Sequence, residues 1–351
     1  MRRFPAALLV VVSLAAGCGG GDDGAASGPL PIFGDLARHA PDRDSYARPL
    51  GAALREGPAR DDPDYLAAFV TTFTSMTPEN ALKWEVVQPE RGEFDFGRAD
   101  ALVEAARRTG KRVRGHTLVW DQQLPAWVAD GGLEPSQLAA VLREHVSAVV
   151  GRYRGRVAEW DVVNEPFEAD GSWTRSVWYR VLGKRYVSIA FRAARRADPG
   201  ARLFLNEAGA ERPAPRARAL RELARELRRG EVPIDGVGFQ NHTTTGGYPR
   251  QAELLRTFRS YGRLGLATAI TEMDVAVPPG PATPKTLAMQ ARAYANAARA
   301  CRRAERCTGL TVWGVSDRYS WKGAAAQPLP IDRVGRPKPA LRALLGALER
   351  N

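Results

Sequence analysis

Two short apolar runs in this chain each lead into a carboxylate: WDVVNEP over residues 160–166 and ITEMDV over residues 270–275. Each run reads as a buried strand, which places Glu165 and Glu272 at the C-terminal ends of their strands. Two carboxyls facing one gap support a specific division of labour. One protonates an oxygen as it leaves an anomeric carbon, and the other attacks that carbon or activates a water against it. The chemistry such a pair suits is the breaking of a glycosidic bond. A lone Asn-Glu-Pro would read as an ordinary solvated loop, whereas two such strand ends, far apart in sequence, are a more specific signal.

The intervening chain must bring both groups to one end of a sheet. LGAAL (50–54) and FVTTFTSM (69–76) read as the first two strands. Residues 112–120, 157–165, 201–207, 234–242, 266–275 and 309–317 read as the other six. Amphipathic helices are predicted over 94–110, 135–153, 176–200, 215–229, 250–263 and 284–304, with a last one over 337–349. Gly110 and Pro199-Gly200 supply helix stops. Strand and helix alternate through the whole set, with polar residues at almost every strand end. That pattern predicts the α/β class and a closed (β/α)8 TIM barrel as a single catalytic domain, rather than an open doubly wound sheet.

The polar residues gather at those strand ends. Glu79, Asn80 and Lys83 follow strand two, and His116 and Trp120 follow strand three. Asn164 and Glu165 close strand four, Asn206 and Glu207 strand five, Gln240 and His242 strand six, and Glu272 and Asp274 strand seven. Trp313 and Trp321 lie at and beyond strand eight. A sugar has an apolar face and a rim of hydroxyls, so its site needs flat aromatic platforms ringed by amides, amines and carboxylates.

TPENALKW (77–84), RGHTLVW (114–120), WDVVNEP (160–166), GVGFQNH (236–242), ITEMDV (270–275) and TVWGVSD (311–317) occur in the order seen in family 10 of the glycoside hydrolases. The chain resembles that family over roughly residues 45–345, including the PKPA at 337–340. Its members are mainly retaining endo-1,4-β-xylanases on a (β/α)8 barrel. The resemblance implies that Glu165 is the acid/base and Glu272 the nucleophile. It implies that Asn164 bonds the 2-hydroxyl of the reacting sugar, and that His242, backed by Asp274, steadies the nucleophile. Gln240 would lie near the acid/base. Glu79, Asn80 and Lys83 would grip the next sugar on the non-reducing side, while His116, Trp120, Trp313 and Trp321 would surround the reacting one. Xylan and xylo-oligosaccharides are the implied substrates, and the carboxyls are expected about 5–5.5 Å apart, as in retaining enzymes.

Two positions depart from the family pattern. Asp121 stands where a His usually follows the Trp of the third strand end, adding a negative charge near the reacting sugar. Gln123 keeps the usual amide two positions on and is counted with the substrate-binding residues. Glu207 replaces a common Asp and is expected to act from behind the site. Trp84, Trp127, Trp160, Trp173 and Trp178 read as packing residues. His145 sits mid-helix, and His39 near the N-terminal tether is assigned nothing. Four histidines without metal-ligand spacing make no case for a metal, and no cofactor is expected.

The composition narrows the alternatives. The 351 residues carry a formal charge of +12, almost all of the basic groups being Arg. These are scattered through amphipathic helices instead of forming one block, which argues against a nucleic-acid stripe. The basic surface is expected to favour xylans with acidic decorations. Met1-Arg2-Arg3 and the apolar run Leu8–Ala16 read as a signal peptide over 1–17. LAAGC (14–18) resembles a lipobox, implying cleavage before Cys18 and its lipidation, with ordinary secretion as the alternative. Residues 18–30 read as a flexible tether and 31–351 as the catalytic domain. The expected protein is exported, held at the cell surface or in the periplasm, and monomeric. In that setting Cys301 and Cys307 are expected to form a disulfide rather than a metal site. A hydrolase of another β-glycan, a non-catalytic glycan binder and a polyanion-binding surface protein are the competing readings. The two retained glutamates oppose the second, and the third rests on net charge alone.

Overall fold

Short, nearly continuous apolar runs bury both faces of a strand, and they pair in parallel when helices return the chain between them. The structure, a computed structural model, describes residues 36–350 apart from Arg43 and Gly131. The expected signal segment and the whole tether, Cys18 included, lie outside the described residues. Among those described, nine strands form: β1 Leu50–Leu54, β2 Ser75–Pro78, β3 Arg112–Val119, β4 Glu159–Asn164, β5 Arg202–Glu207, β6 Gly236–Phe239, β7 His242–Thr244, β8 Ala267–Ala276 and β9 Cys307–Val312. β1 to β6 follow in order around the sheet, β9 pairs with β1, and the β6–β8 pairing closes the ring. All pairings are parallel, so eight strands make the expected barrel and β7 is a short addition beside β8.

Helices cover the outside: α1 Glu56–Asp61, α2 Pro63–Thr72, α3 Trp84–Val87, α4 Gly97–Arg108, α5 Ala126–Ala129, α6 Pro135–Arg152, α7 Val177–Leu182, α8 Arg185–Ala197, α9 Pro215–Arg229, α10 Gln251–Gly262, α11 Pro284–Arg303 and α12 Pro339–Leu348. The short α1, α3 and α5 sit in loops after β1, β2 and β3 and have too few residues to show a periodicity.

Three boundaries correct the sequence reading. The run expected as strand two is mostly helix: α2 occupies Pro63–Thr72, and β2 starts only at Ser75. Asp62 accepts hydrogen bonds from the amides of Asp64 and Tyr65, Pro63 opens the first turn, and Tyr65, Leu66, Phe69 and Val70 share one buried face. Cap and face outweigh the β-branched residues that suggested a strand. The helix expected over 176–200 is divided into α7 and α8 at Gly183, whose φ of 58° only glycine adopts freely. The sixth strand stops at Phe239, and the chain resumes as β7 after Asn241, at φ 62°.

The barrel interior is packed, not open. Phe204 is fully buried inside it, while Trp160 and Phe239 are fully buried on the outer side of the strands, near Tyr153 and against Phe258 and Tyr261. Arg114 crosses this interior, pairs with Asp161, reaches Glu159 at 2.6 Å, and stacks 4.5 Å from the Phe204 ring. Such a buried guanidinium is tolerated because carboxylates and an aromatic face replace its water. The expected disulfide joins Cys301 in α11 to Cys307 at the start of β9. Trp84, Trp160 and Trp178 are core residues, and Trp127 and Trp173 pack against the core. His145 is buried, stacked 3.5 Å from Trp84, with Nδ1 2.8 Å from Gln88 Oε1.

Candidate active site

The C-terminal ends of the strands bring the two glutamates into one hydrogen-bonded system. β4 and β5 pair with Asn164 opposite Asn206, which sets their side chains side by side. Just past that pair the chain turns at Glu165, which has a left-handed φ of 51° and still donates its N–H to Asn206 O at 3.0 Å. This turn, an uncommon one for a non-glycine residue, lifts the carboxyl off the strand. Trp120 Nε1 donates to Glu165 Oε2 at 2.9 Å and Gln240 Nε2 donates to Oε1 at 2.6 Å. Trp120 is itself set by Trp178, whose Nε1 donates to the Trp120 carbonyl at 2.7 Å.

Glu272 lies on β8 and is buried with 4% of its surface exposed. Asn206 Nδ2 donates to its Oε1 at 2.6 Å, and His242 Nε2 lies 3.4 Å from its Oε2. His242 stands opposite Asp274 in the β7–β8 pairing, and its Nδ1 lies 2.9 Å from Asp274 Oδ2. Burial works against the charge on His242, but Asp274 and Glu272 overcome it and push its pKa up to about 10. The ring is therefore an imidazolium at neutral pH, donating from both nitrogens. Trp321 Nε1 donates to the same Asp274 oxygen at 2.8 Å, and its ring meets His242 edge-on at 5.0 Å.

The two glutamates are linked through amides. Gln240 Nε2 also reaches Asn164 Oδ1 at 3.3 Å, and Asn206 Nδ2 reaches that oxygen at 2.8 Å. Asn164 thus has its carbonyl oxygen occupied and its NH2 left to donate. Asn206 is oriented by Thr271, whose hydroxyl donates to Asn206 Oδ1 at 2.7 Å. Room for that oxygen depends on Gly238, where a Cβ would stand 2.2 Å from it.

A second wall comes from β2 and β3. His116 Nδ1 lies 3.1 Å from Asp161 Oδ2 and 3.8 Å from Glu272 Oε1, and Trp313 meets the His116 ring edge-on at 4.9 Å. Lys83 Nζ donates to Asn80 Oδ1 at 2.9 Å and lies 5.2 Å from the Trp120 ring centre. Buried Glu79 lies 3.9 Å from the Arg55 guanidinium. Burial raises its pKa to about 7, the charges of Arg55 and Lys83 pull it down, and that of Glu272 adds to the rise. Burial lowers the pKa of Lys83.

The structure brings together every residue expected around the reacting sugar, and it sets Gln123 apart. The Gln123 amide donates to Glu85 Oε1 at 3.0 Å at the rim. Trp313 is buried, whereas Trp321 is 53% exposed and forms an edge of the opening. Glu207 acts from behind, as expected: its carboxylate is fully buried and accepts the amides of Phe167 at 3.2 Å and Ala208 at 3.0 Å, which holds the loop after Glu165. Burial drives its pKa well up. Sequence reasoning gave Asn206 no role and passed over Asp161 and Thr271. The pairing of β4 with β5 was the available signal for Asn206, since two asparagines preceding strand-end glutamates fall in register.

These strand ends supply a held carboxylate, a second carboxyl under two N–H donors, and an amide and aromatic rim. Comparison with known proteins agrees with that geometry. The family model for glycosyl hydrolase family 10 matches residues 41–347. Endo-1,4-beta-xylanase A of Phanerodontia chrysosporium is 42% identical over 251 residues, which are 72% of this chain and 61% of that protein's length. The endo-1,4-beta-xylanase of Agaricus bisporus is 38% identical over 299 residues, 83% of this chain and 88% of that one. Xylanase 10B of Thermotoga petrophila RKU-1, solved in complex with xylobiose, has a TM-score of 0.83 at 33% identity, over 86% of this chain and 94% of that one.

Proposed function

The chain belongs to glycosyl hydrolase family 10, and from that premise we propose that it is an endo-1,4-β-xylanase acting by double displacement, with Glu272 as nucleophile and Glu165 as acid/base. The observation that carries the assignment of roles is the unequal setting of the two carboxyls. Glu272 is gripped by Asn206 and by the His242 imidazolium, donors that suit a carboxylate held as an attacking group. Glu165 accepts only the neutral donors Trp120 and Gln240 and stands on a turn at the mouth.

In the first step a Glu272 oxygen bonds to the anomeric carbon, the bond to the leaving oxygen breaks, and the Glu165 proton passes to that oxygen. A glycosyl ester on Glu272 and a Glu165 carboxylate remain. In the second step Glu165 takes a proton from water, the water oxygen bonds to the anomeric carbon, and Glu272 leaves as a carboxylate. The unoccupied NH2 of Asn164 is placed to donate to the 2-hydroxyl of the reacting sugar. His116, Trp313 and Trp321 enclose that sugar, and Glu79, Asn80 and Lys83 hold the next one. Xylan and xylo-oligosaccharides are the substrates.

We infer further that the chain is exported and acts as a monomer. The basic start and apolar run of residues 1–17 support export, and LAAGC supports an anchor at Cys18.

The test is product analysis of the mature chain on xylan beside its Glu272→Ala and Glu165→Ala variants. Short xylo-oligosaccharides from the unsubstituted chain and none from Glu272→Ala are expected. With an aryl xylobioside whose leaving group needs no protonation, Glu165→Ala should accumulate an adduct on Glu272, detectable by mass spectrometry. An adduct elsewhere, or near-normal activity of Glu272→Ala, would refute the assignment.

A further inference from the structure

The arginines are not spread evenly over the barrel. The last turns of α4, α6, α8, α9, α10 and α11 all carry arginine, and all of these turns lie at the end where the strands begin. The helix dipole explains cations at single helix C-termini; Arg107 and Arg108 are paired with Glu104, Arg152 with Asp100 and Arg195 with Asp235, which leaves the floor basic chiefly around α9 and α10. The opposite end carries Glu165, Glu272 and Asp274 but also Lys83, Lys322 and the His242 imidazolium, so it is mixed in charge where the floor is basic.

On the floor, between α10 and β9, lies a groove of about 360 Å³ lined by Arg259, Arg263, Arg306, Thr268 and one carboxylate, Glu305. The three arginines are exposed, and among the described residues none has a carboxylate within ion-pair distance. Arg306 reaches only the Gly265 carbonyl, at 3.4 Å. Thr268 is fully buried, and its hydroxyl has no hydrogen-bond partner in the protein. Buried polar groups are normally satisfied. An unsatisfied donor beside three uncompensated guanidiniums suits an oxyanion of the phosphate type.

The polypeptide also enters the barrel on this face. Arg48, two residues before β1, donates to the carbonyls of Ala304 and Glu305, both at 3.3 Å, in the turn that borders the groove. The Tyr46 hydroxyl donates to Thr72 O at the end of α2, at 3.0 Å. Whatever holds the chain upstream of Tyr46 therefore holds it by the floor.

We propose that the floor of the barrel is a docking face for an anionic lipid bilayer, with a lipid phosphate seated among Arg259, Arg263 and Arg306. Charge complementarity draws the floor, rather than the mixed-charge mouth, to such a surface. The enzyme then stands with its cleft turned outward, toward a polymer too large to pass beneath it. The setting rests on the exported reading of the N-terminus, but binding by the floor belongs to the folded domain and is measurable without the lipid.

The experiment uses the mature chain from residue 18 with Cys18→Ser. It is sedimented at low salt with vesicles of phosphatidylcholine alone and of phosphatidylcholine containing phosphatidylglycerol. Binding is expected only with the second, and it should weaken as salt is added. Each arginine close to the surface contributes about fivefold to partitioning, so R259Q/R263Q/R306Q should reduce it about 100-fold. Retained xylan hydrolysis shows that the triple variant is folded. If it is not, R263Q alone carries the test, with a loss of about fivefold. Equal binding to both vesicle types, or anionic binding untouched by the substitutions, would overturn the proposal. So would stabilisation by inorganic phosphate with no vesicle binding, which would make the groove a site for the free ion. Vesicle binding by a wild type that does not cleave xylan would instead refute the enzymatic reading and leave the docking face standing.

Discussion

Asn206 Nδ2 lies 2.6 Å from Glu272 Oε1, and the same nitrogen lies 2.8 Å from Asn164 Oδ1. One amide group thereby sets Glu272, the proposed nucleophile, and the residue beside Glu165, the proposed acid/base, at once. Its own oxygen is fixed by Thr271, so the amide cannot flip without losing that bond.

Replacing Asn206 with alanine should lower kcat on xylan by about 10- to 100-fold with little change in KM. A hydrogen bond to a charged group is worth about 1.5–3 kcal/mol, and here it positions the attacking atom. Steady-state kinetics with circular dichroism as a folding control will decide it. A kcat within about twofold of the unsubstituted enzyme would mean that His242 alone orients Glu272.

His242 supplies a pH dependence of stability. Its folded pKa is raised from 6.5 to about 10, so the folded state binds the proton more tightly than the unfolded chain. The stabilisation is fully present below about 6.5 and is lost as pH rises through about 10. The unfolding midpoint of the unsubstituted protein should therefore exceed that of His242→Asn most at pH 6, and the gap should shrink steadily toward pH 10. A gap independent of pH would contradict the imidazolium.

Asp121 follows Trp120 beyond β3, with Glu165 as a neighbouring charge. Burial first, and then the neighbouring Glu165, raise its pKa from 3.8 to about 6. A raised carboxyl loses its contribution as pH rises between those values, so Asp121→Asn should be the more stable form above pH 6 and no more stable below 3.8. A stability difference between the two forms that stays constant across this pH range, followed by thermal unfolding, would contradict the raised carboxyl.

The Cys301–Cys307 bridge closes a loop with a sequence separation of only six. Loop entropy at that length gives about 2 kcal/mol. Cys301→Ser/Cys307→Ser should therefore lower thermal stability by several degrees while leaving kcat unchanged. A larger loss would implicate the packing of α11 on β9.

Sequence alone was enough for the barrel, for both glutamates and for most of the rim, because each leaves a local trace. A buried parallel strand is an apolar run, and a strand-end carboxylate follows it directly. The ends of α2 and β2 were not legible there. Phe69, Val70, Thr71 and Thr72 suit a strand as well as a helix, and the Asp62 cap and the shared buried face decide between them. Asp161 and Thr271 had no local trace, and Asn206 showed only as one more polar residue at a strand end. Their importance arises from registers between strands, which set Asn206 opposite Asn164 and Asp161 opposite His116. The same holds for charge. The sequence determined that the protein is rich in arginine, but only the folded arrangement, with the helices running back against the strands, brought Arg259, Arg263 and Arg306 together on the floor.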